Sequence, residues 1–297
     1  METKTKAVRK INDADSRKAK AMLTLTRVLV YLFLGILTVL CLFSFYMLII
    51  NSTRTNADLQ GGFRLLPQGN FLENLKNAWT DASIDIPRGM LNSFFVATCT
   101  ALLTTYFSAL TAYGLHAYDF KLKAAATTFI LAVMVIPKQV SASGFVQMCY
   151  QFGLTDSYLP LILPGIASPV VFFYMKQYMA SVLPMEIIDA ARVDGSGEFL
   201  TFNRIVLPMI KPAMAVQLIF SFVESWNNYL MPALLLNKSE MKTVPMMIAQ
   251  LRAADYSKFD MGKVYMFILL AILPVLIVYI FLSRSIIRGV TAGSVKG

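Results

Sequence analysis

Six long apolar stretches dominate this chain and restrict the folds open to it. A membrane-spanning helix needs about 20 mostly apolar residues, because lipid offers no hydrogen-bond partner to the backbone. Charged residues make up only 15% of the chain and the mean hydropathy is +0.60, whereas about a quarter of the residues of a soluble domain are charged. The sequence therefore predicts an all-α integral membrane protein with six transmembrane helices, at 28–50, 90–115, 124–152, 158–178, 214–236 and 264–282.

Charged residues at the two ends and between the spans predict the orientation. Residues 1–27 form a basic N-terminal tail, which we expect to be partly disordered, and residues 284–297 form a tail that contains glycine. Lys and Arg gather on cytoplasmic segments of membrane proteins. With six spans in residues 28–283, this rule places both termini and the 184–211 loop in the cytoplasm. The expected location is the bacterial plasma membrane, crossed several times.

Several classes of function are excluded by missing motifs. The chain has no phosphate-binding loop of the G-x-x-x-x-G-K-[ST] type, so we expect no ATP site of that kind. Its single histidine, His116, rules out the H-E-x-x-H zinc motif and a Ser/His/Asp triad. The net charge of +10 fits the cytoplasmic bias, and we expect no nucleic-acid partner. We therefore expect no catalytic, metal or cofactor site in this chain.

A short helix with defined ends is predicted between the fourth and fifth spans. Pro184 suits a first helical turn, Glu186 lies near the positive end of the helix dipole, and Gly195 can adopt a left-handed cap. Ile187, Ala190 and Ala191 share one face at helical spacing. Two small residues there leave room for a partner to approach the backbone. Periodicity alone does not separate such a docking helix from an amphipathic turn lying on the membrane surface.

The spacing around this helix resembles the signature loop of the permease subunits of binding-protein-dependent ABC importers. The pattern is Asp189-Ala190-Ala191, three residues, Gly195, nine residues, then 205–208 with the sequence Ile-Val-Leu-Pro. The family has Glu where this chain has Asp189, which keeps the carboxylate. Segments 222–232, 136–156 and 289–297 are also similar to the carbohydrate-type permeases, related to the smaller permease subunit of the maltose system. The resemblance spans nearly the whole chain after the first apolar run.

This resemblance implies a type I ABC importer architecture, with one chain forming half of a path for a sugar or oligosaccharide. The partners would be a second permease subunit, two ATPase subunits that hold ATP and Mg²⁺, an external solute-binding protein and membrane lipid. The helix between spans four and five would be the coupling helix, and the C-terminal tail would reach toward the ATPase. The implied coupling residues are Glu186, Asp189, Ala190, Ala191, Arg192, Asp194 and Gly195, and the implied tail residues are Gly293, Lys296 and Gly297.

Polar residues within apolar spans are the candidates for the translocation path, because such groups usually face a bundle interior or water. Amides and carboxylates can bind sugar hydroxyls, and aromatic rings offer an apolar face to a sugar ring. The alternative is that these residues only join helices or lie at the membrane interface. The candidates are Glu224, Trp226, Asn227, Asn228 and Tyr229.

Two other functions remain open to a chain of this kind. A subunit of an ion-coupled secondary transporter could also have six spans, although such carriers often contain inverted repeats and none is visible here. A membrane scaffold or receptor would leave the spacing of the loop after the fourth span unexplained.

Overall fold

A computed structural model describes the backbone of residues 2–81, 83–253 and 260–294, and side chains within 20–281 except at 21, 82, 138 and 252–259. No β-strand occurs in these ranges. Two short 3-10 helices lie at Leu163–Ala167 and Ser239–Met241, and a π-helical turn at Phe202–Val206. The α-helices are α1 Glu2–Ser52, α2 Asn56–Gln60, α3 Phe71–Trp79, α4 Ile86–Ala117, α5 Lys123–Met134, α6 Lys138–Gln151, α7 Leu159–Ile162, α8 Pro169–Val182, α9 Met185–Val193, α10 Glu198–Thr201, α11 Leu207–Trp226, α12 Leu230–Leu235, α13 Val244–Ala253 and α14 Met261–Ser294.

The predicted membrane architecture is confirmed. Within the described residues, five helical segments are long and apolar enough to cross a bilayer. The predicted third span is the exception, because α5 and α6 are bent by 97° at a short break. Pro137 lies in this break, in extended backbone directly before α6. Proline has no N–H to donate and disfavours helix in the residue before it, which explains the interruption.

The fifth span was predicted at 214–236, and this position is wrong. The helix runs from Glu198 to Trp226, so the polar segment after α9 is helical from Glu198 onward. Its polar appearance comes from one face, because Arg204 and Lys211 are exposed while Phe202, Val206 and Ile210 are buried. The helix ends at Trp226, and α12 follows as a separate short helix.

The N-terminal tail was expected to be partly disordered, whereas its backbone in this structure is helical. Helix α1 is continuous from Glu2 to Ser52. The reason is local, since residues 2–34 contain neither proline nor glycine and are rich in good helix formers such as Lys, Arg, Ala and Leu.

Helix α4 is the centre of the bundle and contacts α8, α11 and α13. The residues that it buries are mostly small, and they allow neighbouring backbones to approach closely. Gly165 of the fourth span shows how close this approach is, because a Cβ atom there would lie 2.5 Å from Thr104 Oγ1 of α4. The buried small residues of α4 are Gly89, Ser93, Ala97, Ala101, Thr104, Thr105, Ser108, Ala109, Ala112 and Ala117.

The fourth span crosses α4 as an irregular helix. Pro160, Pro164 and Pro169 break its regular hydrogen bonding, and the 3-10 helix Leu163–Ala167 lies between α7 and α8. Two hydroxyl groups of α4 donate to carbonyls in this region. Thr100 donates to the Leu161 carbonyl and Ser108 to the Ser168 carbonyl, both at 3.5 Å. Proline within the span is tolerated because a neighbouring helix supplies donors.

A cap formed by residues 53–81 joins the end of α1 to the start of α14. Arg54 is 2% exposed, and its Nη2 donates to the carbonyls of Asp58 and Gly62. The Asn74 Nδ2 donates to the carbonyls of Ser52 and Arg54, both at 2.9 Å. A Cβ atom on Gly262 of α14 would lie 2.5 Å from the Arg54 carbonyl oxygen. The cap therefore closes over α14 only because residue 262 has no side chain.

Replacing Gly262 with alanine is expected to lower stability by about 1–3 kcal/mol, because the added methyl group forces the Arg54 backbone and the Asn74 side chain to move. Gly114→Ala in α4 is the matched control, since a Cβ atom there has nothing within 4 Å, and it is expected to stabilise the helix by about 0.5–1 kcal/mol. Thermal unfolding of the purified chain in detergent measures both. A Gly262→Ala variant as stable as the Gly114→Ala variant would contradict the close packing.

An ion pair fixes the far edge of the cap, where Lys263 Nζ of α14 donates to Asp81 Oδ2. Burial raises the pKa of Asp81, but the hydrogen bonds from Lys263 and Ser83 outweigh it and lower the pKa to about 2. Because the folded pKa lies below the ordinary value of 3.8, the pair stabilises the fold above that pH. The stabilisation is lost as the pH falls towards 2.

We expect Asp81→Asn to destabilise the chain by about 2 kcal/mol at a pH of about 6. The difference between the native chain and this variant should shrink at a pH of about 3, where the native carboxylate begins to protonate. Unfolding in a mild detergent at the two pH values tests this. An equal difference at both values would show that the ion pair is not the source of the stabilisation.

Candidate functional site

Helix α9 ends where the sequence predicted, and Pro184, expected in its first turn, lies directly before the helix in extended backbone. Glu186 lies in its first turn, and Gly195 follows its end with φ = +78°. The Gly195 N–H donates to the Arg192 carbonyl at 3.0 Å and the Ser196 N–H to the Ala191 carbonyl at 2.9 Å. This pair of bonds is the Schellman motif, which requires a left-handed residue where Gly195 stands. The helix therefore stops at a fixed position, with its last turn held.

The two faces of α9 have different surroundings. Ile188 and Ala191 are buried, at 0% and 5% exposure, against the body of the bundle. The opposite face follows the helical spacing i, i+3, i+4 and i+7 and is exposed. It consists of Glu186, Asp189, Ala190 and Val193. In the isolated chain Val193 is 88% exposed, so an apolar side chain and a small one share this face with two carboxylates.

One residue of the predicted docking face is placed wrongly. The sequence grouped Ile187, Ala190 and Ala191 on a single outward face, but Ala191 points into the bundle and Ile187 is half-buried. The small side chain of Ala191 lets α9 lie close to its own chain. Ala190 remains exposed, and Asp194 and Gly195 extend the exposed face beyond the end of the helix.

Arg192 lies at the joint between α9 and two other helices. Its Nε donates to Glu198 Oε1 of α10 at 2.8 Å, and its Nη1 donates to Asp189 Oδ1 at 3.1 Å. Its Nη2 donates to the carbonyl of Ala117, the last residue of α4, at 3.3 Å. The guanidinium carbon also lies 5.4 Å from the centre of the Tyr118 ring, within cation–π range.

Glu198 and the end of α4 complete this joint. The second carboxylate oxygen of Glu198 accepts a hydrogen bond from the Tyr113 hydroxyl of α4 at 2.8 Å. Burial, and then the carboxylate of Glu198, raise the pKa of Tyr118. The hydrogen bond to Glu198 raises the pKa of Arg192, so the guanidinium is charged at every physiological pH. Sequence reasoning did not single out Val193 of α9, and it missed Glu198 and Tyr113 because only the fold brings those two residues to α9.

Trp226, a candidate for the translocation path, is a packing residue in this structure. Its side chain is 3% exposed and is stacked on Phe222 with ring centres 5.8 Å apart. Its Nε1 donates to the Ala271 carbonyl of α14 at 3.2 Å. Trp226 therefore joins α11 to α14.

The neighbouring path candidates are more accessible. Glu224, Asn227 and Tyr229 are exposed and Asn228 is half-buried. Asn227 Nδ2 donates to the Val223 carbonyl at 2.9 Å, and Asn228 Oδ1 accepts from the Met231 N–H at 3.4 Å. A groove of about 610 Å³ begins at this break in the helix, and its wall includes Asn227, Tyr229 and apolar residues of α13 and α14.

The predicted C-terminal tail is helical as far as the structure describes it. Helix α14 continues to Ser294 and includes Gly293. Lys296 and Gly297 lie outside the described residues.

Comparison with known proteins identifies the family. Residues 104–289 match the family described as the inner membrane component of binding-protein-dependent transport systems. The matched region covers more than half of the chain and contains α9, Arg192 and Glu198. The chain belongs to this family. Membership supports the transport function and argues against the ion-coupled alternative.

The sequences of individual relatives align with nearly the whole length of this permease. It is 35% identical over 277 residues to the arabinooligosaccharides transport system permease protein of Bacillus subtilis, covering 91% of this chain and 96% of that protein. The lactose transport system permease protein of Rhizobium radiobacter is 30% identical, with 90% and 95% coverage. The fold also matches a chain in the crystal structure of a bacterial ABC transporter involved in the import of the acidic polysaccharide alginate. That match has a TM-score of 0.75 and 19% identity, and it covers 86% of this chain and 95% of the other.

Proposed function

We propose that this permease forms half of the translocation path of an ATP-driven importer for a sugar or oligosaccharide, and that the exposed face of α9 docks on an ATPase subunit. The observation that carries the proposal is the division of α9 into two faces. Ile188 and Ala191 anchor it to its own chain, while Ala190 and Val193 are exposed on the opposite face, which they share with the carboxylates of Glu186 and Asp189. A cleft that receives this helix would contact the backbone at Ala190.

The proposed complex contains a second permease subunit, a different chain, with two ATPase subunits and an external solute-binding protein. ATP and Mg²⁺ would be held by the ATPase subunits. The basic N-terminal tail and the α9 end of the bundle would face the cytoplasm, as the distribution of Lys and Arg indicates. The cap at residues 53–81 would then face outward, toward the binding protein. The C-terminal tail with Gly293, Lys296 and Gly297 would extend toward the ATPase.

A carbohydrate is the proposed solute because two relatives that match along nearly their whole length are named for arabinooligosaccharides and lactose. Asn227 and Tyr229 line the groove beside α11, where an amide can bind hydroxyl groups and a phenol ring can contact an apolar sugar face. The side chains of Glu224 and Asn228 would contribute polar groups to the same part of the path. Trp226 would hold α11 in place beneath them.

The proposed mechanism needs two global states that ATP and the loaded binding protein stabilise to different extents. Closure of the ATPase dimer would move α9, and its contacts with α4 and α10 would carry that movement into the spans. ATP hydrolysis would then allow the spans to return.

Replacing Ala190 with arginine is expected to prevent stable association with the ATPase subunits, because a long charged side chain cannot enter a cleft fitted to alanine. Ala190→Ser is the matched control, since it keeps the side chain small. Co-purification in detergent of the co-expressed complex measures the association. An Ala190→Arg chain that retains as much ATPase as the Ala190→Ser chain would show that α9 does not dock through this face.

Deletion of the chain is expected to abolish uptake of at least one labelled sugar in a panel that includes arabino-oligosaccharides and lactose. In vesicles that contain the whole complex, this uptake should require ATP and the binding protein and continue when ion gradients are collapsed by ionophores. Uptake that follows an ion gradient without ATP would refute the proposed energy source. A panel in which no carbohydrate uptake changes would refute the proposed solute class.

A further inference from the structure

Arg192 contacts more separate parts of the fold than its position on a short helix requires. It binds a residue of its own helix, the start of α10 and the carbonyl end of α4. Its side chain is 32% exposed, so the contacts lie partly within the bundle and are less screened by water than a surface ion pair. An isolated docking helix would need none of these bonds beyond the pair with Asp189.

The contacts of Arg192 and Glu198 together form a closed connection between three helices. Arg192 of α9 binds Glu198 of α10, Glu198 binds Tyr113 of α4, and Arg192 binds Ala117 at the end of α4. Both carboxylate oxygens of Glu198 are used. Because each hydrogen bond has a restricted direction, this ring of contacts fixes the orientation of α9 about its own axis.

The apolar contacts of α9 fix its position without fixing its rotation as strictly. Ile188 belongs to the core cluster that also contains Phe202, Leu183 and Ala117, and apolar burial is non-directional. These contacts would keep α9 on its own chain if Arg192 were removed. Ala190 and Val193 would also stay exposed, since the side chain of Arg192 bonds to neither of them, and the one change to their face would be that Asp189 loses its ion pair with Arg192.

We propose that Arg192 is the positioning residue that converts movement of α9 into movement of α4, and that Glu198 and Tyr113 are the groups through which it acts. This inference rests on the proposed docking of α9. It assigns docking and force transfer to different residues of the same helix. An ATPase bound to the exposed face would pull on α9, and the ring of contacts would make α4 and α10 follow as one body. Without the ring, α9 would turn in place.

Two measurements on the whole complex separate docking from force transfer. Co-purification of the ATPase reports docking, and the amount of solute transported per ATP hydrolysed, in vesicles that contain the complex, reports force transfer. Arg192→Met removes the charge and keeps an apolar stem of similar length. We expect the ATPase to co-purify at the native level, while transport per ATP falls about five-fold or more, as for the loss of a typical coupling between sites. Lys123→Met is the matched control, because it removes a cation from a nearby exposed pair with Asp119.

Two further variants test the ring itself. Tyr113→Phe removes one hydroxyl group and its bond to Glu198, and it should lower transport per ATP by a smaller factor than Arg192→Met. Exchange of the charges in an Arg192→Glu, Glu198→Arg double variant should recover part of the coupling that Arg192→Glu alone loses. A general loss of stability would reduce co-purification in every variant and would not be rescued by the exchange.

The failure of this inference is distinguishable from failure of the proposed function. Native transport per ATP in the Arg192→Met complex would overturn the positioning role. Loss of the ATPase from that complex would also overturn it, because Arg192 would then belong to the docking contact. If the native chain retained no ATPase at all, the proposed docking function would fail before the role of Arg192 arose.

Discussion

The close approach of other helices to α4 is the constraint on which the rest of the structure depends. In lipid, helix association gains little from the hydrophobic effect and relies on packing and hydrogen bonds. Small side chains along α4 allow the irregular fourth span to lie against it, with Gly165 next to Thr104. The same proximity lets Thr100 and Ser108 reach backbone carbonyls of that span. Bulky residues along this face would separate the helices and leave those carbonyls without donors.

The end of α4 also holds the short helix α9. Tyr113 and Ala117 lie one turn apart, and the groups they offer, a hydroxyl and a terminal carbonyl, bind Glu198 and Arg192. The last four carbonyls of a helix have no partner within it. Arg192 donates a hydrogen bond to one of these carbonyls, that of Ala117. This bond also brings the positive charge of Arg192 to the negative end of the α4 dipole. Capping of α4 and attachment of α9 are therefore the same interaction.

Much of the fold could be predicted from the sequence, because apolar length and helix-ending residues are local signals. The left-handed cap at Gly195 and the break at Pro137 follow from the chemistry of those residues alone. The start of the fifth helix at Glu198 could not be predicted in the same way, since Arg204 and Lys211 look like loop residues until their common face is known. Nor could the sequence show that Ala190 points outward and Ala191 inward, because adjacent alanines carry no signal for which side the bundle occupies. The contact between Tyr113 and Glu198 joins residues 85 positions apart, and only the packed bundle reveals it.

The cap at residues 53–81 can close only after Gly262 of the last span has been synthesised. Arg54 and Asn74 form the end of α1 and the cap, yet the surface they close on belongs to the last span. That surface leaves the ribosome about 200 residues later, which at 5–20 residues per second is roughly 10 to 40 seconds. During this interval α1 cannot pack against α14, which it contacts in the finished chain. The most apolar part of α1 has no buried residues even then. A chain that stops before α14 therefore exposes an unclosed cap, because Arg54 and Asn74 then have no Gly262 surface to pack against.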